Sequence, residues 1–368
     1  MNTISESDIQ PGNRVIIRSS LNVSLNNDGQ IVDDLRLRRI TDTIDIVISA
    51  GGMPILISHI KNDQGSTMKP VVNWFKEFGY NTILISDYYP FDELKNNFLP
   101  NTVYVFENLR DYPGEKNNEE SFTTDLAKYG DVYINESFDA AHRAHASTVA
   151  LPKLLPSFVG LNFAAEVFEL SKVFEPDRPF TFIIGGAKIE TKAPLIRKLL
   201  EKADKVFVGG ALMNPLLAAR GINVGNSKMP EVDIDVSDIA ASEKLVLPID
   251  FIDQNRDVVT IDQISDDTQL LDVGPDSTAQ LLELISTSKL VVWNGPLGLY
   301  EQGYVDSTDA VAQTLSQSDC YSIIGGGDTL AAVDDAVEQG INWISTGGGA
   351  MLDFIESDGD LPAIKALQ

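Results

Sequence analysis

The sequence predicts an α/β fold in which two doubly wound domains each contain a parallel β-sheet. The chain has 368 residues, more than a single hydrophobic core usually supports. Short apolar runs, typical of buried strands, alternate along it with segments that carry apolar residues at helical spacing. In the second half these runs end at glycine, as strands do where a ligand approaches the carboxyl edge of a parallel sheet.

The first half alternates strands with helices. Helical spacing is clearest at 34–50, where four apolar residues share one face: Leu37, Ile40, Ile44 and Val47. Gly51 ends this helix, because glycine disfavours continuation. The other elements predicted here are strands at 14–18, 54–58, 81–85, 102–106 and 131–135, and helices at 68–78 and 119–129.

A domain boundary is predicted at 152–179. Pro152 and Pro156 interrupt regular structure, Asn162 is placed to cap a helix, and Pro176 ends it. A helix that joins two domains would serve as a hinge element. The predicted division is an amino-terminal domain at 1–158, an interdomain helix at 159–178, a carboxy-terminal domain at 179–355 and a tail at 356–368.

Five apolar runs in the second half are predicted strands. They lie at 180–184, 206–208, 290–293, 321–324 and 343–346, and each is followed by glycine or Asn-Gly. The acidic segment 229–243 is predicted to be a loop that leads into a helix. Backbone at such glycine-rich strand ends can approach a ligand closely, and a nucleotide is the usual occupant.

Composition excludes several classes of partner. A formal net charge of −26 argues against nucleic acid and anionic membranes, since both would be repelled. No apolar run approaches the roughly 20 residues that span a bilayer, and the amino terminus lacks a signal-peptide pattern. The single cysteine, Cys320, excludes an internal disulfide. We therefore expect a cytoplasmic, monomeric protein that acts on small molecules.

A glycine loop is the strongest single signal. Gly325, Gly326 and Gly327 stand at a predicted strand-to-helix turn and are followed by Asp328 and Thr329. Free backbone N–H groups there can bind a phosphate, and either Asp328 or Thr329 can cap the helix. A carboxylate beside a phosphate is favourable when a divalent cation lies between them. The alternative is a tight turn with an N-cap and no ligand.

Positive residues of the first half collect just beyond strand ends. Arg36 opens the first long helix, and His59, Arg110 and Arg143 follow three of the predicted strands. Because parallel strands end at one edge of a sheet, these side chains should converge and bind carboxylate or phosphate oxygens. A surface salt bridge is the alternative for any one arginine. A metal bound by the two histidines on either side of Arg143 is a weaker alternative.

Two lysines of the second half lie one helical turn apart. Lys188 follows Gly185 and Gly186, and Lys192 shares its helix face. A bound polyphosphate would relieve the repulsion between these lysines. The sequence contains neither the P-loop pattern nor the Gly-x-Gly-x-x-Gly pattern, which excludes a P-loop protein and disfavours a dinucleotide site.

Six motifs occur in this order: Glu-Asn-Leu-Arg, Ala-His-Arg-Ala-His-Ala-Ser, Gly-Gly-Ala-Lys, Trp-Asn-Gly-Pro-Leu-Gly, Gly-Gly-Gly-Asp-Thr and Ser-Thr-Gly-Gly-Gly-Ala. Together they resemble the phosphoglycerate kinase family over essentially the whole chain. The resemblance implies two α/β domains facing a cleft, the first binding 3-phosphoglycerate and the second MgATP or MgADP. It also implies that the tail returns to the first domain.

The resemblance assigns residues to both substrates. Arg36 is implied to stabilise charge on the transferred phosphoryl group, which Lys188 and Lys192 would follow. Asp328 is the implied Mg²⁺ ligand, and Glu301 is implied to contact the ribose. The implied phosphoglycerate site consists of Ser20, Asn22, Arg36, His59, Asn62, Arg110 and Arg143. The implied nucleotide site consists of Gly185, Lys192, Gly209, Gly210, Asn294, Leu299, Glu301, Gly326, Gly327, Asp328 and Thr329.

Several positions depart from the family pattern. Ser20 stands where aspartate is usual, Asn62 where arginine is usual and Asp139 where glycine is usual. Segment 211–215 differs on the nucleotide side. Losing one charge-assisted contact typically costs about 1.5–3 kcal/mol, so two lost contacts would raise the KM without abolishing binding.

The expected reaction is reversible phosphoryl transfer between 1,3-bisphosphoglycerate with ADP and 3-phosphoglycerate with ATP. One alternative is a kinase of the same fold that acts on a different small acid, motivated by Ser20 and Asn62. The other is a non-catalytic nucleotide-binding member of the family.

Overall fold

The computed structural model describes residues 1–26, 28–60, 67–86, 97–333 and 339–368, which divide into two compact units. The first unit contains Met1–Phe168 and Gly359–Gln368, and the second contains Glu169–Asp358. The carboxyl-terminal segment belongs to the first unit through the helix Pro362–Ala366, in which the Ala363 N–H donates to the carbonyl oxygen of Ala141 over 3.1 Å.

A parallel sheet forms the centre of the first unit. Its strands are β1 (Arg14–Arg18), β2 (Met53–Ile57), β3 (Thr82–Ile85), β4 (Val103–Phe106), β5 (Val132–Asn135) and β6 (Ser157–Val159). They pair in the order β3-β4-β2-β1-β5-β6. The five strands predicted for this half are all present. The sequence does not predict β6, because three residues are too few to show a pattern.

Helices alternate with the strands of this sheet, and the longer ones pack on it through an apolar face. The helices are α1 (Leu35–Ser49), α2 (Lys69–Phe78), α3 (Pro113–Lys116), α4 (Glu120–Ala127) and α5 (Leu161–Ser171). In α1 the predicted apolar face is buried: Leu37 and Ile44 are fully enclosed and belong to one core cluster with Val15 and Ile17 of β1. The periodic spacing of α1 thus places Arg36, one residue away from this face, near the solvent boundary.

Helix α5 begins at Leu161, one residue before the predicted cap. Asn162 is therefore inside the helix, where its side-chain amide donates to the carbonyl oxygen of Arg39 instead of capping. A buried carboxylate takes over the helix N-terminus, because Glu136 Oε2 accepts from the Phe163 N–H over 3.1 Å. Glu136 also accepts a hydrogen bond from the Thr43 hydroxyl. Such a carboxylate satisfies backbone N–H groups that the helix leaves unpaired.

Changing Glu136 to glutamine is expected to alter how stability depends on pH. Burial raises the pKa of Glu136 from 4.5 to about 7, although hydrogen bonds from Thr43 and from the start of α5 oppose this shift. The protonated form therefore stabilises the fold below pH 4.5, and this contribution is lost as the pH rises towards 7. Glutamine does not titrate, so Glu136→Gln lacks this contribution. Between pH 5.5 and pH 8, the free energy of unfolding of the parent should therefore fall by about 2 kcal/mol more than that of Glu136→Gln.

Urea unfolding at both pH values measures this difference. The exposed Glu120→Gln serves as the control, and its pH profile should run parallel to that of the parent. A Glu136→Gln profile that also ran parallel to the parent would contradict the burial argument.

The second unit contains two sheets, of which the large one is parallel and has six strands, as many as the sheet of the first unit. The strands of the large sheet are β7 (Phe180–Ile184), β8 (Lys205–Val208), β9 (Leu245–Val246), β13 (Leu290–Asn294), β14 (Tyr321–Gly325) and β15 (Trp343–Ser345), and a separate small sheet contains β10 (Asp250–Asp253), β11 (Val258–Thr260) and β12 (Leu270–Val273). The large sheet has the order β15-β14-β13-β7-β8-β9. All five strands predicted in this half belong to it.

The small sheet is antiparallel and has no counterpart among the predictions. Its strand order is β11-β10-β12. Aspartates occupy both ends of β10, and β11 is largely exposed, so neither strand carries the continuous apolar run of a parallel core strand.

Helices of the second unit connect its strands in the expected alternation. They are α6 (Ile189–Lys202), α7 (Met213–Ala219), α8 (Ser237–Ala240), α9 (Pro275–Thr287), α10 (Asp306–Gln317), α11 (Gly327–Ala331) and α12 (Gly349–Glu356). The fold class is therefore confirmed as α/β with two parallel sheets. Within the part of the chain that the structure describes, every helix is too short or too polar to cross a bilayer.

Candidate active site

Arg18, the last residue of β1, is 1% exposed and forms the centre of a polar cluster at the carboxyl edge of the first sheet. Its Nε donates to Ser147 Oγ over 2.9 Å, and Nη1 donates to Ser137 Oγ over 3.3 Å. Nη2 lies 3.4 Å from His59 Nδ1. Arg18 was not among the predicted site residues, although an arginine at the end of a strand predicted to be buried was a signal for it.

His59 follows β2 and is buried beside Arg18. Burial and, after it, the positive charge of Arg18 lower the pKa of His59 to about 3, and the Asp139 carboxylate acts against this shift. Because a guanidinium group can only donate, Nδ1 accepts and the proton of the neutral ring lies on Nε2. At pH 7 His59 therefore offers an uncharged N–H donor, not the cation that its position at a strand end suggested.

Two further arginines reach the same cluster. Arg110 follows β4, and its backbone N–H donates to Asn108 Oδ1 over 3.1 Å. Burial, and then the charges of Arg143 and Arg18, lower the pKa of the Arg110 guanidinium. Arg143 is exposed. The structure thus brings Arg18, His59, Arg110 and Arg143 together at one edge of the sheet, with the arginines supplying the positive charge.

The histidines on either side of Arg143 make contacts of their own. His142 Nε2 accepts from Arg143 Nε over 3.1 Å, and His145 Nδ1 lies 3.7 Å from the buried carboxylate of Glu115. Burial, with a smaller effect from Arg18, lowers the pKa of His145 to about 4. Among the described residues no three metal-binding side chains lie together, so these contacts do not support the metal alternative.

Arg36, Asn22 and Ser20 lie near the end of β1. Arg36 Nη1 donates to the backbone carbonyl oxygen of Asn22 over 2.7 Å. Asn22 therefore positions Arg36 through its main chain. Ser20 Oγ is buried and has no hydrogen-bond partner among the described residues. Asn62, which was also assigned to the acid substrate, lies outside the described residues.

Asp139 adds one negative charge to this arginine cluster. It lies in the turn Phe138–Ala140 after β5, and Ser137 Oγ donates to its Oδ1 over 2.5 Å. Burial acts to raise the pKa of Asp139, but the charges of Arg36 and Arg18 and the Ser137 hydrogen bond outweigh it, so the pKa is lowered. Asp139 is consequently ionised at neutral pH.

A cavity of about 350 Å³ lies at the carboxyl edge of the large sheet in the second unit. Such a volume falls in the range of small-molecule sites. Four residues assigned to the nucleotide from sequence line it: Gly210, Leu299, Glu301 and Asp328. Asn214, in the segment 211–215 that sequence placed on the nucleotide side, lines it as well. Other lining residues were not predicted, because they lie outside the recognised motifs: Asn226, Ser227, Lys228, Gln269 and Tyr300.

Other glycines assigned to the nucleotide bring loops together behind this cavity. A Cβ on Gly185 would lie 2.1 Å from the carbonyl oxygen of Pro296, closer than any side chain tolerates. Gly210 has φ +61°, and a Cβ there would lie 2.7 Å from the carbonyl oxygen of Gly186. A Cβ on Gly209 would lie 2.7 Å from Cδ2 of the Leu297 side chain. Gly185 and Gly210 need glycine because the backbones of two loops meet there, and Gly209 needs it because the Leu297 side chain fills the space.

The glycine loop after β14 differs from the predicted turn. Gly326 precedes α11 with φ +106°, and both proposed caps, Asp328 and Thr329, lie inside the helix. Gly327 and Asp328 are exposed, while Thr329 is fully buried. The Tyr300 hydroxyl lies 3.5 Å from Asp328 Oδ1. Only the exposed part of the loop is therefore free to meet a ligand.

Thr329 and Asn294 hold neighbouring loops together. Thr329 Oγ1 accepts from the Gly295 N–H over 2.7 Å and donates to the carbonyl oxygen of Gly325 over 3.0 Å. The Asn294 amide donates to the same carbonyl oxygen over 2.8 Å. Both side chains were assigned to the nucleotide from sequence. In the structure they form hydrogen bonds with the protein backbone instead.

We expect Thr329→Val to destabilise the second unit by about 2 kcal/mol, because the buried Gly295 N–H would lose its acceptor without any change in side-chain shape. Urea unfolding measures this loss. Thr287→Val is the matched control, since its exposed hydroxyl donates only within α9. Equal stabilities of the two variants would show that the Thr329 hydrogen bonds are not needed.

Lys188 and Lys192 lie at the start of α6. Lys188 immediately precedes the helix and is exposed, whereas Lys192 is half-buried. Burial lowers the pKa of Lys192, and the carboxylates of Asp353 and Glu356 oppose that shift. Lys192 therefore stands beside acidic residues as well as near the glycine loop that follows β7.

An arginine cluster that can bind anions in one unit, and a glycine-lined cavity with an accessible carboxylate in the other, are the parts that a phosphotransferase of the kinase class requires. The family model described as phosphoglycerate kinase matches residues 4–358. The chain belongs to the phosphoglycerate kinase family.

Relatives and solved structures agree with this assignment. A phosphoglycerate kinase of Desulfosudis oleivorans is 35% identical over 382 residues, covering 97% of this chain and 96% of the relative. One of Roseiflexus is 37% identical over the same length and coverage. The structure of phosphoglycerate kinase from Coxiella burnetii has a TM-score of 0.83 at 31% identity, covering 99% of this chain and 98% of its own. That from Pyrococcus horikoshii, at 24% identity, shares the fold with a TM-score of 0.84 over 100% and 98% of the two chains.

Proposed function

We propose that this protein catalyses the reversible transfer of a phosphoryl group from 1,3-bisphosphoglycerate to ADP, yielding 3-phosphoglycerate and ATP. In the reverse direction the acceptor is a carboxyl group. The observation that carries the proposal is the convergence of Arg18, His59, Arg110 and Arg143 at one sheet edge. In a chain with a net charge of −26, a cluster of three arginines indicates an anionic ligand.

The acid substrate is assigned to this cluster. Arg110 and Arg143 would bind its anionic groups, and His59 would donate a hydrogen bond through Nε2. Arg36, whose guanidinium is positioned by the Asn22 carbonyl oxygen, would stabilise charge on the transferred phosphoryl group. Ser20 would add a hydroxyl, since its buried Oγ has no hydrogen-bond partner within the described residues.

The nucleotide is assigned to the cavity of the second unit. Gly210 and Leu299 would line the base and ribose, and Glu301 would accept from the ribose hydroxyls. The exposed Gly327 would present backbone to a phosphate, because it opens α11. Other residues assigned to the nucleotide would hold the loops around this cavity in position without lining it: Gly185, Gly209, Asn294, Gly326 and Thr329.

A magnesium ion fits this donor set. Asp328 is an exposed carboxylate on the cavity wall, and Mg²⁺ in nucleotide sites is typically held by one or two carboxylates together with substrate phosphates. Asp328 would hold the ion, which when bound would neutralise charge on the phosphate oxygens.

Phosphoryl transfer needs positioning and charge neutralisation more than covalent help. Lys188 is exposed at the start of α6 and would bind the phosphoryl group as it leaves one substrate for the other. Lys192 would support it from the next turn. With the acid on one unit and the nucleotide on the other, reaction would require the bound substrates to meet with water excluded.

A coupled assay in the ATP-forming direction tests the proposal. Purified protein with 1,3-bisphosphoglycerate, ADP and Mg²⁺ should produce ATP, and omission of the acid should abolish it. Tight MgADP binding with no ATP formed would contradict the proposed reaction. We further propose that the protein is cytoplasmic, which the single buried cysteine, Cys320, supports. We also propose that it is a monomer, and light scattering at assay concentration tests this.

A further inference from the structure

Asp139 is one of two acidic side chains among the arginines of this site; the other is the buried Glu115, which accepts from Ser147 Oγ over 2.6 Å and interacts electrostatically with Arg110. The turn that carries Asp139 is held from both sides. Asn135 Oδ1 accepts from the Ser137 N–H over 3.0 Å, and the ring of Phe138 packs edge-on against that of Phe163 with 5.6 Å between centroids. Phe138 is itself buried. The Asp139 carboxylate is consequently carried by a turn that a backbone hydrogen bond and a buried aromatic ring anchor to the rest of the unit.

The surrounding hydrogen bonds point this carboxylate at the arginines. Ser137 Oγ donates to Asp139 Oδ1 over 2.5 Å and accepts from Arg18 Nη1 over 3.3 Å, so one hydroxyl links the anion to the guanidinium. Arg18 in turn contacts His59 over 3.4 Å. Arg36 and His59 also interact electrostatically with Asp139.

An anion in this place has a direct consequence for ligand binding. A carboxylate or phosphate of the substrate must use the same arginines, and it meets a fixed negative charge beside them. In a partly desolvated site, like charges a few ångströms apart repel appreciably, and each positive charge already paired attracts a second anion less. The side chain therefore opposes the very ligand that the cluster attracts.

We propose that Asp139 is a specificity-determining residue of the acid site: a carboxylate supplied by the protein that is linked to Arg18 through the Ser137 hydroxyl, partly neutralises the charge of Arg18 and Arg36, competes with the anionic groups of the substrate and sets a low affinity for them. The inference rests on the proposed function for the identity of the acid, but not for the presence of an anion site.

Asp139→Asn removes the charge and keeps the shape of the side chain. The Kd for inorganic phosphate, measured by calorimetry on the full chain without turnover, should fall about tenfold. The KM for 3-phosphoglycerate should fall by a similar factor, while the KM for ATP stays unchanged. Asp139→Glu retains the charge and should keep both parental values, and Asp139→Ala provides a second neutral variant should the asparagine variant fold poorly.

Asp125→Asn controls for net charge, because Asp125 lies in α4 near the amino end of β5 and pairs with Lys128. It should change neither constant. Unchanged or weaker phosphate binding in both neutral variants would overturn the inference, weaker binding meaning that Asp139 holds the arginines in place. Tighter phosphate binding without any kinase activity would uphold the role of Asp139 while contradicting the proposed function.

Discussion

Replacing Arg36 with alanine is expected to lower kcat by about 10²- to 10³-fold, the usual effect of removing one group that stabilises transition-state charge. Arg36 is held near the end of β1 by its hydrogen bond to the Asn22 carbonyl oxygen. In the proposed reaction it meets the transferred phosphoryl group and not the nucleotide. The KM for ADP should therefore change by less than about threefold.

Steady-state kinetics in the ATP-forming direction measure both constants. Arg38→Ala is the matched control, because Arg38 lies in the same helix, is largely exposed and pairs with Asp34 over 2.8 Å. Its kcat should remain close to that of the parent. If Arg36→Ala changed kcat and the KM for ADP by small and equal factors, the proposed role of Arg36 in stabilising charge on the phosphoryl group would be contradicted.

Replacing Asp328 with asparagine should cause the largest loss on the nucleotide side. The change keeps the shape of the side chain but removes the charge proposed to hold Mg²⁺. Loss of several kcal/mol of metal-dependent stabilisation corresponds to a decrease in kcat/KM for MgATP of about 10²-fold or more. The concentration of Mg²⁺ needed for half-maximal rate should also rise.

A magnesium titration distinguishes a metal ligand from a structural residue. Asp276→Asn is the control, since Asp276 is an exposed aspartate in the first turn of α9 in the same unit. It should leave the titration midpoint where it is in the parent. If Asp328→Asn lost activity with an unchanged midpoint and lower stability, the residue would be structural.

Parallel strands were the most predictable part of this molecule. The predicted limits of β1 and β7 coincide with Arg14–Arg18 and Phe180–Ile184, because strands covered on both faces are continuous apolar runs. Since parallel strands end at one edge, the sequence also indicated which side chains would gather there, Arg110 and Arg143 among them. The antiparallel strands β10 and β11 were missed, because aspartates occupy both ends of the buried β10 and β11 is largely exposed, so neither carries such a run.

The chemistry of the site was less accessible from sequence. Arg18 resembled a strand residue and not a site residue until the fold placed Ser137 and Ser147, more than a hundred positions away, within hydrogen-bond reach. Thr329 lies in a predicted phosphate-binding motif, yet its hydroxyl accepts a hydrogen bond from Gly295 and donates one to Gly325. Motifs identify which residues are near a site, but hydrogen bonds decide which of them remain available to a ligand.

Sequence alone determined the family and the α/β class, and it predicted that Arg110 and Arg143 would lie at one edge of the first sheet, since these follow from local patterns and from strand order. Tertiary structure alone decided that His59 is neutral and that Asp139 is ionised among arginines. The reason is that charge state depends on burial and on the distance to other charges. Both quantities are set by packing between segments that lie far apart along the chain.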